Sequence, residues 1–256
     1  MANPQPLIAL VTDDLLNERC HLTMTHEDPD YTTDNLLDDD PATVAKSTTS
    51  TTTISLDLDL GFISAPVAVG VALINCNAET ASIAGGGATT TITIPGLEYG
   101  YGDRLNAWKR LAGTTPDFTW DITLTRASGP VWIGRLVLVT ALRPFNARYG
   151  FSIGVLRPGR NRINTRLGST IIYDPEIRQR TAKSVVRLAE DELMLRALDA
   201  GSRGMLKPFL FIPDEGVNDA WWVRQAADDF AVTYPNLDET EIPLAFEELS
   251  MGPPQG

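Results

Sequence analysis

The sequence is poor in the residues that most often carry catalysis and covalent cross-links, with two cysteines and two histidines among 256 residues. Two cysteines do not form a disulfide framework, and we expect Cys20 and Cys76 to be reduced, buried thiols. A Ser-His-Asp or Cys-His centre would have to use His21 or His26. Paired carboxylates suited to glycoside hydrolysis cannot be picked out either. The sequence therefore predicts a protein without enzymatic activity.

Metal-binding motifs are also absent from the sequence. The two histidines lie in HLTMTHEDPD with Glu27, Asp28 and Asp30, but their spacing differs from the HExxH pattern, and the segment is typical of a loop. The cluster at 38–40 in LDDDP lacks the spacing of an EF-hand. An Asx-type turn before a strand is its expected role, with calcium as the alternative. The sequence predicts no metal and no cofactor.

Long hydrophobic runs and a basic N-terminal region are missing as well. No apolar run approaches the roughly 20 residues that a membrane helix needs. The opening segment MANPQPLIALVTDDLL lacks the basic region of a secretory signal. We expect a protein that folds in a cytoplasm and does not insert into a membrane.

Positive charge is scarce, because 21 Lys and Arg stand against 33 Asp and Glu, for a net charge of −12. This balance disfavours a nucleic-acid partner. The exception is the segment 143–187, which has nine Arg and one Lys against one Asp and one Glu. It predicts either a surface for an acidic partner or a solvated strand face.

Patterns typical of β-strands fill the first part of the chain. Residues 54–60 alternate between apolar and polar side chains, which is the period of a half-buried strand. Residues 67–74 are apolar throughout, as in a core strand, and 89–94, 118–125 and 131–139 are further strand candidates. Short strands separated by turns predict a β-sandwich or jelly roll over residues 1–142.

The pattern changes near residue 140. Residues 149–156, 170–173, 181–188, 208–212 and 241–249 are strand candidates, and 189–200 has an acidic first turn, an apolar stripe and a closing glycine. The fold class predicted from the sequence is therefore mainly β. The domain at 1–142 is followed by a second, at 143–256. This second domain is a β-sandwich or split barrel flanked by one helix at about 189–200, with a short flexible tail.

One loop candidate is rich in aromatic residues: Tyr99, Tyr101 and Trp108, with polar residues between them. Aromatic rings stack on sugar faces or on partner surfaces, and the polar neighbours can bond hydroxyl groups. These three residues are the predicted ligand-binding set. The alternative is that they pack against a neighbouring subunit or the sandwich itself.

The segments DDDPATVAKS, ISLDLDLG, VAVGVALINCN and VWIGRLVLV resemble, in this order, the discoidin-like, galactose-binding type of jelly roll. The resemblance implies that fold and a sugar or calcium site. One feature departs from sugar-binding members, since a Ser/Thr run replaces the Trp that usually precedes the Asp-Leu-Gly strand.

The second half, from RTAKSVVRLAEDELMLRALDAGSRGMLKPFLFIPD to YPNLDETEIPLAFEEL, resembles the C-terminal region of tail-tip or minor tail proteins of long-tailed bacteriophages. This resemblance implies a tail-tube-like domain in a non-enzymatic virion protein of the distal tail or baseplate. Such a protein assembles in the host cytoplasm as a ring-like homo-oligomer, contacts other tail proteins or fibres, and has Arg157, Arg160 and Arg162 as interface candidates. The alternative is a module of the tail that binds host-surface carbohydrate.

Overall fold

The computed structural model consists mainly of antiparallel β-strands in three sheets, which confirms the prediction of a mainly β protein with a β-sandwich of the jelly-roll type. It describes residues 7–9, 13–16, 20–48, 50–61, 64–94, 106–144, 149–156, 179–187, 208–213, 218–225, 233–236 and 239–249. The predicted helix at 189–200 and the predicted strand at 170–173 lie outside these residues.

The strands are numbered in chain order and grouped here by sheet. The five-stranded sheet has the order β2 (His21–Met24), β4 (Thr53–Asp59), β9 (Thr119–Thr125), β6 (Thr80–Gly85), β7 (Ala88–Thr93). The four-stranded sheet has the order β3 (Ala45–Lys46), β10 (Trp132–Val139), β5 (Gly70–Cys76), β8 (Ala107–Arg110). The eight-stranded sheet has the order β11 (Arg143–Pro144), β1 (Leu7–Ala9), β14 (Phe209–Ile212), β15 (Trp221–Gln225), β17 (Glu239–Glu248), β13 (Gln179–Arg187), β12 (Tyr149–Leu156), and β16 (Thr233–Asn236) pairs with β17. A 3-10 helix spans Thr33–Leu37.

The five-stranded sheet is one of the two layers of the sandwich, and it follows the alternation seen in the sequence. In β4, Ile54, Leu56 and Leu58 are buried, and the residues between them are exposed or half-buried. The apolar side chains face the four-stranded sheet and build a core with it. The period-2 pattern therefore identified both this strand and its buried face.

The four-stranded sheet is the middle layer of the molecule and has a hydrophobic core on each face. Val71 and Leu73 of β5 belong to the core shared with the five-stranded sheet. Ala72 and Ile74 belong to a second core, which they share with residues of the eight-stranded sheet. Every residue of β5 is consequently buried, which explains why its sequence is apolar without alternation.

The first strand of the chain corrects the predicted domain boundary. The sequence-based division assigned residues 1–142 to the sandwich, but β1 pairs with β11 and β14 of the eight-stranded sheet, with Leu7 opposite Ile212. Sequence patterns show a strand's periodicity but not its partner, and this partner is about two hundred residues away. The sandwich therefore begins after β1.

The LDDDP loop packs closely against the middle layer at Gly134. A Cβ atom at Gly134 would overlap the carbonyl oxygen of Pro41 and lie 3.0 Å from the Cβ of Asn75. The Asn75 side-chain amide donates a hydrogen bond to the same Pro41 oxygen at 2.7 Å. The glycine in VWIGRLVLV thus leaves room for the loop backbone.

We predict that Gly134→Ala lowers the free energy of unfolding by about 2 kcal/mol or more, because the new methyl group displaces the Pro41 backbone. Gly113→Ala is the control, since a Cβ there meets nothing within 4 Å and only the positive φ of 70° is unfavourable. We expect the control to lose about 1 kcal/mol. Urea unfolding measures both, and an equal or smaller loss for Gly134→Ala would contradict the close contact.

Candidate functional site

The LDDDP loop is a pair of Asx turns, as predicted. The Asp38 carboxylate accepts a hydrogen bond from the Asp40 N–H at 3.1 Å, and the Asp40 carboxylate accepts one from the Ala42 N–H at 2.9 Å. Local turn bonds of this kind hold the backbone in shape. The loop is therefore an element that docks onto the middle layer.

Arg135 of β10 joins this loop to two other parts of the chain. Its guanidinium donates to the Asp38 carbonyl at 2.7 Å and forms ion pairs with Asp14 at 3.0 Å and Asp39 at 3.6 Å. It also lies over the Trp222 ring, 4.9 Å from the centroid. The Trp222 indole N–H in turn donates to the Asp39 carbonyl at 2.9 Å. The loop, the middle layer and the eight-stranded sheet meet at this buried charge.

Burial raises the pKa of Asp14 from 3.8 to about 6, and the Arg135 charge and the backbone N–H groups of Leu16 and Leu138 only partly oppose the rise. Because the folded pKa exceeds the unfolded one, the folded state binds more protons between about pH 4 and 6. The contribution of Asp14 to stability is therefore fully present below the unfolded pKa and is lost as the pH rises through 6.

We predict that Asp14→Asn removes this pH dependence. Between pH 4 and pH 7, the free energy of unfolding of the native chain should fall relative to that of the variant. The fall should be on the order of 3 kcal/mol for a pKa shift of this size. Unfolding by urea at several pH values measures the difference. Parallel stability curves for the two proteins would contradict the raised pKa.

Asp117→Asn is the matched control for that experiment. Hydrogen bonds from the backbone N–H of Thr119 and then of Gly86 lower the pKa of Asp117. The contribution of Asp117 to stability is therefore present above the unfolded pKa, and it is lost as the pH falls through the lower folded pKa. The difference in the free energy of unfolding between the native chain and this variant should therefore become smaller as the pH falls below about 4. This is the opposite direction to the change expected for Asp14.

Of the predicted ligand-binding residues, the structure describes only Trp108. Trp108 of β8 is 1% exposed and lies in the core facing the eight-stranded sheet, with its ring against Gly70. The expectation that it stacks on a surface ligand is wrong, because the middle layer is covered on that face; the alternative, packing within the protein, holds for this residue. Tyr99 and Tyr101 lie outside the described residues. So do the interface candidates Arg157, Arg160 and Arg162.

The two histidines are not brought together. His21 starts β2 and pairs with Asp59 at one end of the sandwich, whereas His26 follows the other end of that strand in a turn with a φ of 58°. Within the described residues, no three or more His, Cys, Asp or Glu side chains are grouped so as to hold a metal ion. In the same part of the chain, no helix has the length and hydropathy to cross a membrane.

The sequence also contains a GxSxG string, from Gly150 to Gly154. In hydrolases this string places its serine on a sharp strand-to-helix turn. Here Ser152 lies inside β12, where it pairs with Lys183 of β13. The string therefore lacks the local geometry of a nucleophile elbow.

A row of alternating rings and cations lies at one end of the sandwich, and we name it the basic–aromatic row: Tyr31, Lys46, Trp132 and Arg126. The Lys46 ammonium is 4.6 Å from the centroid of the Tyr31 ring, and the Arg126 guanidinium is 5.4 Å from that of Trp132. Lys46 and Trp132 are direct partners in the β3–β10 ladder, so their side chains are neighbours on the same face. All four residues are half-buried.

Backbone connections at this end of the sandwich fix the row. The Trp132 N–H donates to the Asn77 side-chain oxygen at 2.8 Å, and the Asn77 amide donates to the Pro130 carbonyl at 3.0 Å. The Lys46 N–H donates to the Tyr31 carbonyl at 3.0 Å. Two cation–ring contacts, each worth about 0.5–1 kcal/mol at an exposed site, then hold the side chains. The row is thus held by contacts within the protein.

The row could not be found from the sequence. Lys46 and Trp132 are 86 positions apart, and only the pairing of β3 with β10 makes them neighbours. The sequence alone identifies Trp132 only as part of the strand candidate at 131–139.

Comparison with known proteins gives matches among solved structures only, because no family model and no curated protein sequence matches this chain. One similar structure is the Ruminococcus gnavus GH29 fucosidase E1_10125 in complex with fucose, with 13% identity over 52% of this chain, 27% of that chain and a TM-score of 0.40. Another is the family 32 CBM from C. perfringens NanJ in complex with galactose, with 14% identity over 51% of this chain, 98% of that chain and a TM-score of 0.40. A third is reduced XRCC1 bound to the DNA pol beta catalytic domain, with 13% identity over 54% of this chain, 99% of that chain and a TM-score of 0.39.

These three proteins are an enzyme in complex with fucose, a module in complex with galactose and a protein bound to a polymerase domain. The chain spans only 27% of the fucosidase. Likenesses with a TM-score below 0.5 assign neither a ligand nor an activity. A function for this chain must therefore rest on its own residues.

Proposed function

We propose that this chain is a non-catalytic carbohydrate-binding protein, and the observation that carries the proposal is the basic–aromatic row. Tyr31 and Trp132 supply flat apolar rings, and Lys46 and Arg126 supply hydrogen-bond donors beside them. Sugars present an apolar face of C–H groups and a rim of hydroxyl groups, which match these two kinds of side chain. Because each cation already lies against a ring, these side chains lose less conformational entropy when a ligand binds.

The position of the row also supports binding. It lies at an end of the sandwich, where connections between the sheets leave side chains half-buried rather than packed between layers. Loops and strand ends held by a rigid scaffold are frequent places for ligand contacts. The opposite face of the middle layer is occupied by the second core. The end of the sandwich is therefore the surface we assign to the ligand.

We predict that Trp132→Ala weakens glycan binding about tenfold or more, because it removes a large apolar contact surface. Phe118→Ala is the matched control: this aromatic side chain is 38% exposed and precedes β9 at the far end of the sandwich, about 20 Å away. Binding of the purified proteins to an array of bacterial surface polysaccharides and oligosaccharides measures both. No bound glycan, or equal losses for the two variants, would contradict the proposal.

The proposed setting of this binding protein is the tail of a long-tailed bacteriophage. The support is the sequence resemblance of the second half to tail-tip and minor tail proteins. In this setting the chain forms a ring of copies, contacts other tail proteins, and presents the sandwich end to host-surface glycans. A structural tail component without a ligand is the rival function, favoured by the same resemblance.

The tail setting can be tested apart from the glycan. We predict that reversing the charges of Arg157, Arg160 and Arg162 to Glu impairs tail assembly, because the basic segment loses its attraction for an acidic neighbour. Electron microscopy of particles made with the triple variant measures the fraction with normal tails. Normal tails would contradict this interface. Impaired assembly together with an intact protein that binds no glycan would favour the structural rival.

A further inference from the structure

Strand β7 is an edge of the five-stranded sheet, and it differs from the other edge strands of the sandwich. It has six residues, and the sequence has no charged residue between Glu79 and Glu98. The other edges are shorter: β2 and β8 have four residues each, and β3 has two. β8 also carries the exposed Lys109 and Arg110, and β3 carries Lys46. Short length and charge protect an edge strand from pairing with another chain, and β7 has neither protection.

The backbone of β7 presents a row of donors and acceptors along this edge. Within the described residues β7 pairs with β6 alone, and β8, which lies close to it, forms its ladder with β5. The Ile94 N–H donates to the Glu79 carbonyl at 2.9 Å. In an antiparallel ladder, residues that bond to the neighbouring strand alternate with residues that do not, so every second residue counted back from Ile94 bonds to β6. The backbone groups that face away from the sheet are those of Thr89, Thr91 and Thr93.

These three threonines make the edge complementary to itself. Their side chains are exposed, whereas Ile92 between them is buried in the core. A second copy that runs antiparallel, with Thr91 opposite the same residue of that copy, places Thr89 opposite Thr93. All three positions then exchange backbone hydrogen bonds, and the exposed face gains Thr–Thr pairs, which stabilise neighbouring strands.

Both ends of β7 are fixed by contacts within the protein. At the hairpin between β6 and β7, Gly86 and Gly87 have φ values of 58° and 75°, as in a type I′ turn. The Gly86 N–H donates to the Asp117 carboxylate at 2.9 Å, and the Thr115 N–H donates to the Gly86 carbonyl at 2.7 Å. The bond from Ile94 holds the other end. The strand is therefore extended without a partner, which lowers the entropy lost on pairing.

Charge also favours this edge as a contact between copies. Two copies with a net charge of −12 each repel one another, so a contact surface without carboxylates is favoured. The cross-strand rows of Thr91 and Thr93 contain only threonine and serine through β6, β9 and β4. In the row of Thr89 the first carboxylate is that of Asp121 on β9, two strands away, which is about 10 Å.

We propose that β7 is a homodimer interface, in which two copies of this chain pair edge to edge and antiparallel through Thr89, Thr91 and Thr93. The contact is isologous and joins the two five-stranded sheets into one continuous sheet. It does not rest on carbohydrate binding, and it is separate from the arginine interface proposed for tail assembly. One ladder of this length is smaller than a standard protein interface, so we expect a dissociation constant on the order of 10 μM.

Sedimentation velocity of the full chain tests the dimer, at concentrations from about tenfold below to tenfold above that constant. Thr91→Lys should weaken dimerisation about tenfold or more, because it places two like charges directly opposite each other at the two-fold axis. Thr125→Lys is the matched control, since this exposed threonine lies on the same sheet but on the interior strand β9. It should leave the dissociation constant unchanged.

Two double variants test the register. Thr89→Lys with Thr93→Glu places a lysine opposite a glutamate in each outer pair, so we expect the dimer to form at least as well as in the native chain. Thr89→Lys with Thr93→Lys places like charges opposite each other, and we expect dimerisation about tenfold or more weaker, although the added charge lowers the overall repulsion. Circular dichroism checks that each variant is folded.

Three results would overturn the interface. The first is a monomer at every concentration. The second is a dimer that Thr91→Lys and Thr125→Lys affect equally, since the contact would then lie elsewhere. The third is equal dimerisation of the two double variants, which would exclude the antiparallel register centred on Thr91. Each result leaves the proposed carbohydrate binding untouched, because the basic–aromatic row is formed by other strands.

Discussion

The structure depends on one constraint, which is that the four-stranded sheet must be covered on both faces. Its two long strands, β5 and β10, are almost wholly apolar and lie between two hydrophobic cores. Exposing either face would place a large apolar surface in water, at roughly 25 cal/mol for each Å². The five-stranded sheet supplies one cover, and the eight-stranded sheet, which includes β1 and strands from the second half of the chain, supplies the other.

Arg135 shows what this constraint requires of a charged side chain. A guanidinium in the middle layer loses its water, and such a loss is tolerated only with partners close by. Here the partners come from three segments: Asp14 near the start of the chain, the LDDDP loop, and Trp222 of the eight-stranded sheet. The loop that resembled a binding signature in the sequence thus serves to connect the layers. The surface that we propose for a ligand lies instead at the end of the sandwich.

Several features were predictable because they depend only on residues that are close together in the chain. The alternation from Ile54 to Leu58 predicted a half-buried strand and its buried face, and the Asx turns of LDDDP follow from the short side chains themselves. Trp108 was assigned to the surface because an aromatic residue among polar neighbours looks the same in a loop as at the start of a core strand. Its burial depends on the eight-stranded sheet, whose contacts come from Leu7 and from residues after 208.

The sequence by itself determined the β character of the chain, the positions of its main strands and the two-sided burial of β5, since these depend on the periodicity of neighbouring side chains. The tertiary structure alone decided the partner of β1, the burial of Trp108 and the basic–aromatic row. The row joins side chains from β3, β10 and two turns, and Lys46 meets Trp132 only across a ladder. Contacts between residues far apart in the chain leave no local pattern, because they depend on how the sheets pair and stack.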